Sequence, residues 1–263
     1  TRGERRVPAM DHVVARVEAA YRRADAREER GGNRARVLRR RERGIGQQSR
    51  TFTGGACRGV GGDLYHFLPR KDGRWLLVLG DVTGKGMPAA LAMSSGMSLL
   101  SMAAELVDEL DRLGEVLHRK LFECLSAEQF ITVFAGELHP MSGEMTYLNA
   151  GHDHPLIARA GGGLEELASA GMPMGLLPMN PLQVLKAKLE PGDLMAIFSD
   201  GIPEATQDGE TFLGRESLEK ILVEMRTAPL EEIRDRILEA VDGYLAGRPA
   251  SDDVTLMLVR RED

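Results

Sequence analysis

The sequence predicts an α+β fold in which antiparallel sheets are flanked by helices. Three observations predict it. Short apolar runs are joined by hairpin turn signals at Lys71-Asp72-Gly73, Met141-Ser142-Gly143 and Pro191-Gly192. The helical patterns fall in two blocks instead of alternating with strands, which disfavours parallel βαβ units. With 263 residues, 43% hydrophobic and 28% charged, the chain has ample material for a real core.

Taken in order, residues 10–30 place Val13, Val14, Val17, Tyr21 and Ala24 at helical spacing. Gly31-Gly32 interrupts that helix, and a second basic helical piece covers about 33–43. Residues 1–50 carry 15 Arg against 7 acids, net +8, whereas residues 51–263 carry 19 Lys+Arg against 33 acids, net −14. The expected organisation is a basic helical linker or dimerisation arm, 1–50, before an acidic body, 51–263. A homodimer through the N-terminal helices is the partner expectation for the arm. Nucleic acid is not expected. Tyr21 is the only aromatic residue there, and Glu18, Asp25, Glu28 and Glu29 dilute the charge.

In the body, a glycine-rich loop over 53–63 leads to a strand over 64–68, hairpin-paired with 74–80. Helices over about 87–108 and 111–126 follow; in the second, Leu113, Leu117, Leu121 and Leu125 form an apolar stripe. Strands over 130–138, 144–149, 154–160, 182–189 and 193–198 come next. Two helices, about 214–226 and 229–246, precede a last strand over 254–259.

The uncharged run 87–104 contains Pro88, Gly96 and four serines, too polar for a membrane-spanning helix. No apolar stretch of a secretory signal follows the early arginines. Cys57 and Cys124 make no disulfide framework and no metal-ligand spacing, which fits a reducing cytosol. The expectation is a cytoplasmic protein, read from its first residue Thr1 as the cytosolic part of a longer sensor.

Four acidic sites share one local grammar, a carboxylate at a strand terminus beside glycine or a second acid. They are Asp63 in Gly-Gly-Asp, Asp81 in Gly-Asp-Val-Thr-Gly, Asp200 in Phe-Ser-Asp-Gly, and Asp252-Asp253 in Ser-Asp-Asp-Val-Thr. Any one of them alone reads as a turn residue or helix cap. Gathered at one sheet edge, they would repel one another and raise their own pKa values, a penalty that divalent cations remove. Oxygen ligands suit Mg²⁺ or Mn²⁺. Asp81 is the expected hub of a two-metal phosphatase site. The Gly80–Gly86 turn fails as a P-loop: three residues separate its glycines, and Gly86 follows Lys85 where Ser or Thr is needed. Lys85 is a candidate contact to a substrate phosphate, alongside a plain solvated turn lysine. His152 and His154, at i and i+2, point to opposite faces of a strand and make a poor ligand pair. His152 reads as a structural or hydrogen-bonding histidine rather than a proton donor.

Gly61-Gly-Asp-Leu-Tyr, Gly80-Asp-Val-Thr-Gly-Lys-Gly-Met-Pro-Ala-Ala, Ala150-Gly-His-Asp-His-Pro, Pro173-Met-Gly, Pro191-Gly-Asp, Phe198-Ser-Asp-Gly-Ile-Pro-Glu-Ala and Ser251-Asp-Asp-Val-Thr occur in that order. Over about residues 59–260 the chain resembles the SpoIIE/RsbU branch of the PPM (PP2C-like) metal-dependent serine/threonine phosphatases. The resemblance implies an αββα sandwich with two Mn²⁺ or Mg²⁺ ions between antiparallel sheets. It also implies that Asp81, Asp200 and Asp252 form the catalytic set. Asp81 would bridge the metals with help from the Val82 carbonyl, Asp200 and Asp252 would bind the second, and Asp63 would bind directly or through water. Asp253 would orient the site, and Glu204 would anchor the loop after Asp200. The implied reaction is attack of a metal-bridging hydroxide on phosphoserine or phosphothreonine of a small regulatory protein of the anti-sigma-factor-antagonist type. A different class stays open beside it, a catalytically weak phosphatase-like binding module in a bacterial partner-switching assembly. Two departures stand out: His66 replaces an acid common in the family, and the segment before Gly61 is short and glycine-rich.

Overall fold

A computed structural model describes residues 62–262, together with the backbone of three earlier strands, β1 (Ala15–Arg22), β2 (Val37–Leu38) and β3 (Phe52–Thr53). The body continues as β4 (Leu64–Pro69), β5 (Trp75–Val82), α1 (Met87–Leu106), α2 (Leu110–Cys124), β6 (Ile131–Leu138), β7 (Glu144–Ala150), β8 (Leu156–Ala158), β9 (Leu164–Glu166), β10 (Leu185–Lys188), β11 (Leu194–Phe198), α3 (Arg215–Glu224), α4 (Leu230–Leu245) and β12 (Val254–Arg261). One sheet has the order β10-β7-β6-β5-β4 and the other β2-β3-β1-β12-β11-β8-β9. All pairings are antiparallel except β1 with β3. The fold is α+β, as expected.

Strand periodicity explains the layers. Along β5, Leu76, Val78 and Val82 pack beneath α1 and α2, while Leu77 and Leu79 face the other sheet. Along β12, Val254, Leu256 and Leu258 pack beneath α3 and α4, while Met257 and Val259 meet Leu77, Leu79 and Phe134 between the sheets. Both sheets are thus covered on both faces, which makes the αββα sandwich. The stripe on α2 is buried at Leu113, Leu117 and Leu121. Helix α1 is long and apolar enough to cross a membrane by length and composition; it lays Ala89, Ala92, Leu100 and Ala103 into the core layer over β4 and β5.

The expected helical arm needs a correction. Ala15–Arg22 is a strand, pairing antiparallel with β12 from Ala15↔Arg261 to Arg22↔Val254. Val17, Ala19 and Tyr21 alternate with Arg16, Glu18 and Ala20, so this stretch satisfies a two-residue period as well as a helical one. The charge boundary near residue 50 is therefore crossed by the chain's own sheet. Within the second expected helix, over 33–43, Val37–Leu38 is a strand that pairs antiparallel with β3, a second correction; the remaining parts of the arm and Cys57 lie outside the described residues. Strand lengths differ from expectation at 154–160 and 182–189, which shorten to β8 and β10, and at β9, which the sequence reading lacked.

His66 shares its face of β4 with Leu64, toward α1, where its Nε2 lies 3.1 Å from Ser101 Oγ. It secures a helix to the sheet and lies away from the acidic cluster.

Candidate metal centre

The strand periods that build the core also aim the acids. Asp81 continues the Leu77–Leu79 face of β5, so it falls between the sheets at the strand's end. Asp63 precedes β4, and Ser199 follows β11. Asp253 precedes β12 by one residue. All four belong to the same inter-sheet layer, where it runs out of apolar side chains.

Hydrogen bonds across the gap lock them. Thr255 Oγ1 donates to Asp63 Oδ2, from one sheet to the other. The Gly62 amide donates to Asp253 Oδ2 at 2.7 Å. Ser199 Oγ donates to the Asp253 carbonyl at 3.2 Å and accepts from the Thr255 amide at 2.9 Å. Glycine is required where these backbones touch. A Cβ on Gly201 would sit 1.9 Å from the Asp253 carbonyl oxygen. A Cβ on Gly62 would crowd the Val82 carbonyl oxygen at 3.2 Å and Asp81 Oδ1 at 3.3 Å, so these two oxygens converge on one spot. The glycines that flank the acids in sequence are thus explained by close approach.

The electrostatics show an unbalanced cluster. Burial, followed by the charges of Asp63, Asp200 and Asp252, pushes Asp81 up to about 9. Burial, with Asp253 nearby, pushes Asp63 up to about 7. Burial, then Asp252, Glu204 and Asp153, pushes Asp200 up to about 7, partly offset by Lys85. Among the described residues, no three His, Cys, Asp or Glu side chains are grouped tightly enough to hold an ion as they stand. The donor chemistry nevertheless fits a hard divalent cation: hard oxygens from both sheets, held ionised only against mutual repulsion.

Asp81 and Asp200 line a cleft of about 330 Å³, with Thr132, Gly151, His152, Asp153, His154, Glu204 and Arg215. Asp252 lies beside it, with Lys85 Nζ at 2.7 Å from its Oδ2; the same ammonium donates to the Ser251 carbonyl at 2.6 Å. Glu204 is exposed, and its amide closes a turn onto the Asp200 carbonyl at 2.8 Å. His152 is buried. Its Nδ1 lies 3.0 Å from Thr132 Oγ1, and its amide donates to Asn149 Oδ1 at 2.8 Å. Burial pushes its imidazole down to about 4, so it is neutral near pH 7. It joins β6 to the segment after β7.

Three residues of the site escaped the sequence reading. Asp153 and Arg215 line the cleft, and Thr255 grips Asp63. Asp153 and Thr255 sit inside the quoted motifs next to residues singled out there. Arg215 carries no local signal, being one of 34 Lys and Arg residues placed by the packing of α3.

Comparison with known proteins sets this geometry in context. The family model described as Stage II sporulation protein E (SpoIIE) matches residues 71–262. Phosphoserine phosphatase RsbU of Bacillus subtilis is 30% identical over 209 residues, covering 77% of this chain and 60% of RsbU. Protein IcfG of Synechocystis is 27% identical over 232 residues, covering 78% of this chain and 36% of IcfG. The chain therefore spans about three fifths of one curated relative and about a third of the other. The PP2C phosphatase domain of SpoIIE from Bacillus subtilis, solved with a fragment of its regulatory domain, superposes with a TM-score of 0.71 at 20% identity, covering 94% of this chain and 64% of that one. The RsbU and RsbW domains of Rv1364c from Mycobacterium tuberculosis give 0.68 at 24% identity, covering 94% and 60%. The fold is that of these phosphatase domains.

Proposed function

This chain belongs to the SpoIIE family, and from that premise we propose that it is a metal-dependent phosphoprotein phosphatase. The client would be phosphoserine or phosphothreonine on a small regulatory protein of the anti-sigma-factor-antagonist type. The carrying observation is the convergence of Asp63 and Asp81 from one sheet with Asp200 and Asp252 from the other. Each of the first three is pushed up by burial and then by neighbouring acids: Asp253 beside Asp63, Asp63 with Asp200 and Asp252 beside Asp81, and Asp252 with Glu204 and Asp153 beside Asp200. A buried acid cluster of this kind is a poor structural element and a good cation site.

Asp81, the Val82 carbonyl, Asp200 and Asp252 would hold two Mn²⁺ or Mg²⁺ ions, with Asp63 direct or through water. Such a pair supplies an activated water and a charge clamp for the phosphoryl oxygens. The protein's own residues do the positioning. Asp253 fixes the Gly62 loop, and Thr255 orients the Asp63 carboxylate. Neutral His152 keeps the cleft floor rigid and gives no proton to the leaving seryl oxygen. Lys85 stands against Asp252 at 2.7 Å, beside the cleft, which keeps it a candidate contact. Hydrolysis breaks the phosphorus–oxygen bond to the seryl side chain, and water provides the new oxygen. Cys124, the cysteine among the described residues, is exposed at the end of α2 and does not line the cleft.

The relative RsbU is named a phosphoserine phosphatase, and a structural neighbour pairs an RsbU domain with an RsbW domain. Both support a client within a partner-switching set. The decisive test is release of phosphate from a phosphoserine peptide and from p-nitrophenyl phosphate, each with and without Mn²⁺. Metal-dependent turnover that collapses in Asp81→Asn supports the reading. Phosphoprotein binding without turnover in any metal would favour the binding-module alternative and overturn it.

A further inference from the structure

We propose that Arg215 is the substrate-anchoring residue of this cleft and grips the phosphoryl oxygens of the bound phosphoamino acid. The inference rests on the phosphatase reading above and assigns a specific contact within it.

The cleft wall sets up a charge problem. Asp81, Asp153, Asp200 and Glu204 line it, and a dianionic substrate must approach them. Cations held by Asp81 and Asp200 would answer only for their own end. Arg215 is the one Lys or Arg among the lining residues. It opens α3 and reaches the cleft from the side of Asp153, whose carboxyl burial pushes up and Arg215 draws back down.

Its guanidinium is held by one edge and open on another. Arg215 Nε donates to Glu219 Oε1 at 3.0 Å, one helical turn on. Arg215 Nη2 lies 3.1 Å from Glu166 Oε2 in an ion pair. The planar guanidinium carries five N–H donors, more than these two carboxylates engage, and its fork matches phosphate geometry. Glu166 also accepts from His154 Nδ1, whose Nε2 in turn accepts from the Ser169 amide at 3.2 Å. Glu166 is thus fixed from β9 by a second group, and it fixes the plane of Arg215. The result is a preorganised cation with spare donors on the wall of the cleft.

The experiment uses the whole chain with Mn²⁺, in wild type, Arg215→Ala and Arg215→Lys. Steady-state kinetics are measured on p-nitrophenyl phosphate and on a phosphoserine peptide with uncharged flanks, and thermal unfolding checks each variant. Losing one charge-assisted contact raises KM by about tenfold or more. The expected result is that rise for both substrates in Arg215→Ala, a smaller change in kcat, partial recovery in Arg215→Lys, and an unfolding midpoint close to wild type. KM within twofold of wild type for both substrates overturns the assignment. A rise confined to the peptide also overturns it, since the contact is then with the peptide and not the phosphate. If Arg215→Ala does not fold, Arg215→Lys decides by the same KM criterion. A wild-type chain that hydrolyses neither substrate strikes at the phosphatase reading instead, so the two failures are distinguishable.

Discussion

Asp253 Oδ2 accepts a hydrogen bond from the Gly62 amide at 2.7 Å, across 191 residues of chain. That bond ties the approach to β12 in one sheet to the approach to β4 in the other. It therefore sets the distance between Asp252 and Asp63, the immediate neighbours of the two bonded residues. A position beside two proposed metal ligands in sequence works as their ruler.

Asp253→Ala leaves a buried amide without its charged acceptor, which costs about 2–3 kcal/mol of stability. Urea unfolding should show a lower midpoint at an unchanged slope, with weaker stabilisation by Mn²⁺. Asp253→Asn retains an acceptor oxygen and should fall between the two. Equal metal affinity in all three chains would show that the bond does not position the ligands.

The metal-free chain should lose stability as pH rises. Asp63, Asp81 and Asp200 have folded-state values of about 7, 9 and 7, above the carboxylate value of 3.8. The native state then holds more protons than the unfolded one between those limits, and stability falls with pH across that window. Thermal melts in chelator from pH 5 to 9 should shift steadily downward. Saturating Mn²⁺ should flatten the trend, because bound cations replace the missing protons. A chelated protein most stable at pH 9 would contradict the cluster's electrostatics.

Asp81→Asn should separate stability from function. It removes the carboxyl that must take up a proton on folding at this pH, so the metal-free unfolding midpoint rises near pH 8. The same change removes the hub ligand, so Mn²⁺-dependent phosphate release drops by about a hundredfold or more. A calorimetric titration with Mn²⁺ should show at least one site lost. A variant that is destabilised without metal would argue that Asp81 is held ionised by groups other than a cation.

Arg70 tests the scaffold behind the site. Its Nε lies 2.9 Å from Glu137 Oε1, and its Nη2 donates to the carbonyls of Val107 at 2.7 Å and Asp108 at 2.8 Å, closing the end of α1. The Glu137 side chain is fully buried, and Arg70 is 5% exposed. Arg70→Ala leaves a buried carboxylate short of one partner and should cost about 3–5 kcal/mol. Unfolding by guanidinium chloride measures it. Arg70→Ala/Glu137→Leu should recover part of the loss, since no unpaired charge remains.

Much of this molecule was legible in its sequence. The turn signals gave the hairpins, the acid-glycine motifs gave Asp63, Asp81, Asp200 and Asp252, and the parity of Leu77, Leu79 and Asp81 already places the acid on the apolar face. These are local properties: a two-residue period and a turn dipeptide act over a few bonds, so the chain states them by itself. The stretch Ala15–Arg22 was ambiguous for the same reason. Val17 and Tyr21 suit a helix, whereas Val17, Ala19 and Tyr21 suit a strand. Only pairing with β12 selects one, because backbone hydrogen bonds to a partner outweigh a weak local preference.

The opposition of charges was likewise out of reach of local pattern. Nothing near Arg215 in the sequence says that it will face Asp153 and Asp200, and nothing near Thr255 says that it will hold Asp63. Packing two sheets face to face brought those groups together and removed the water between them. Burial then pushed Asp63, Asp81 and Asp200 well above the ordinary carboxylate range. The sequence determined which acids are candidate ligands and which face of each strand they occupy. The tertiary structure decided which of them meet, because Coulomb energies and desolvation depend on distance through space and not along the chain.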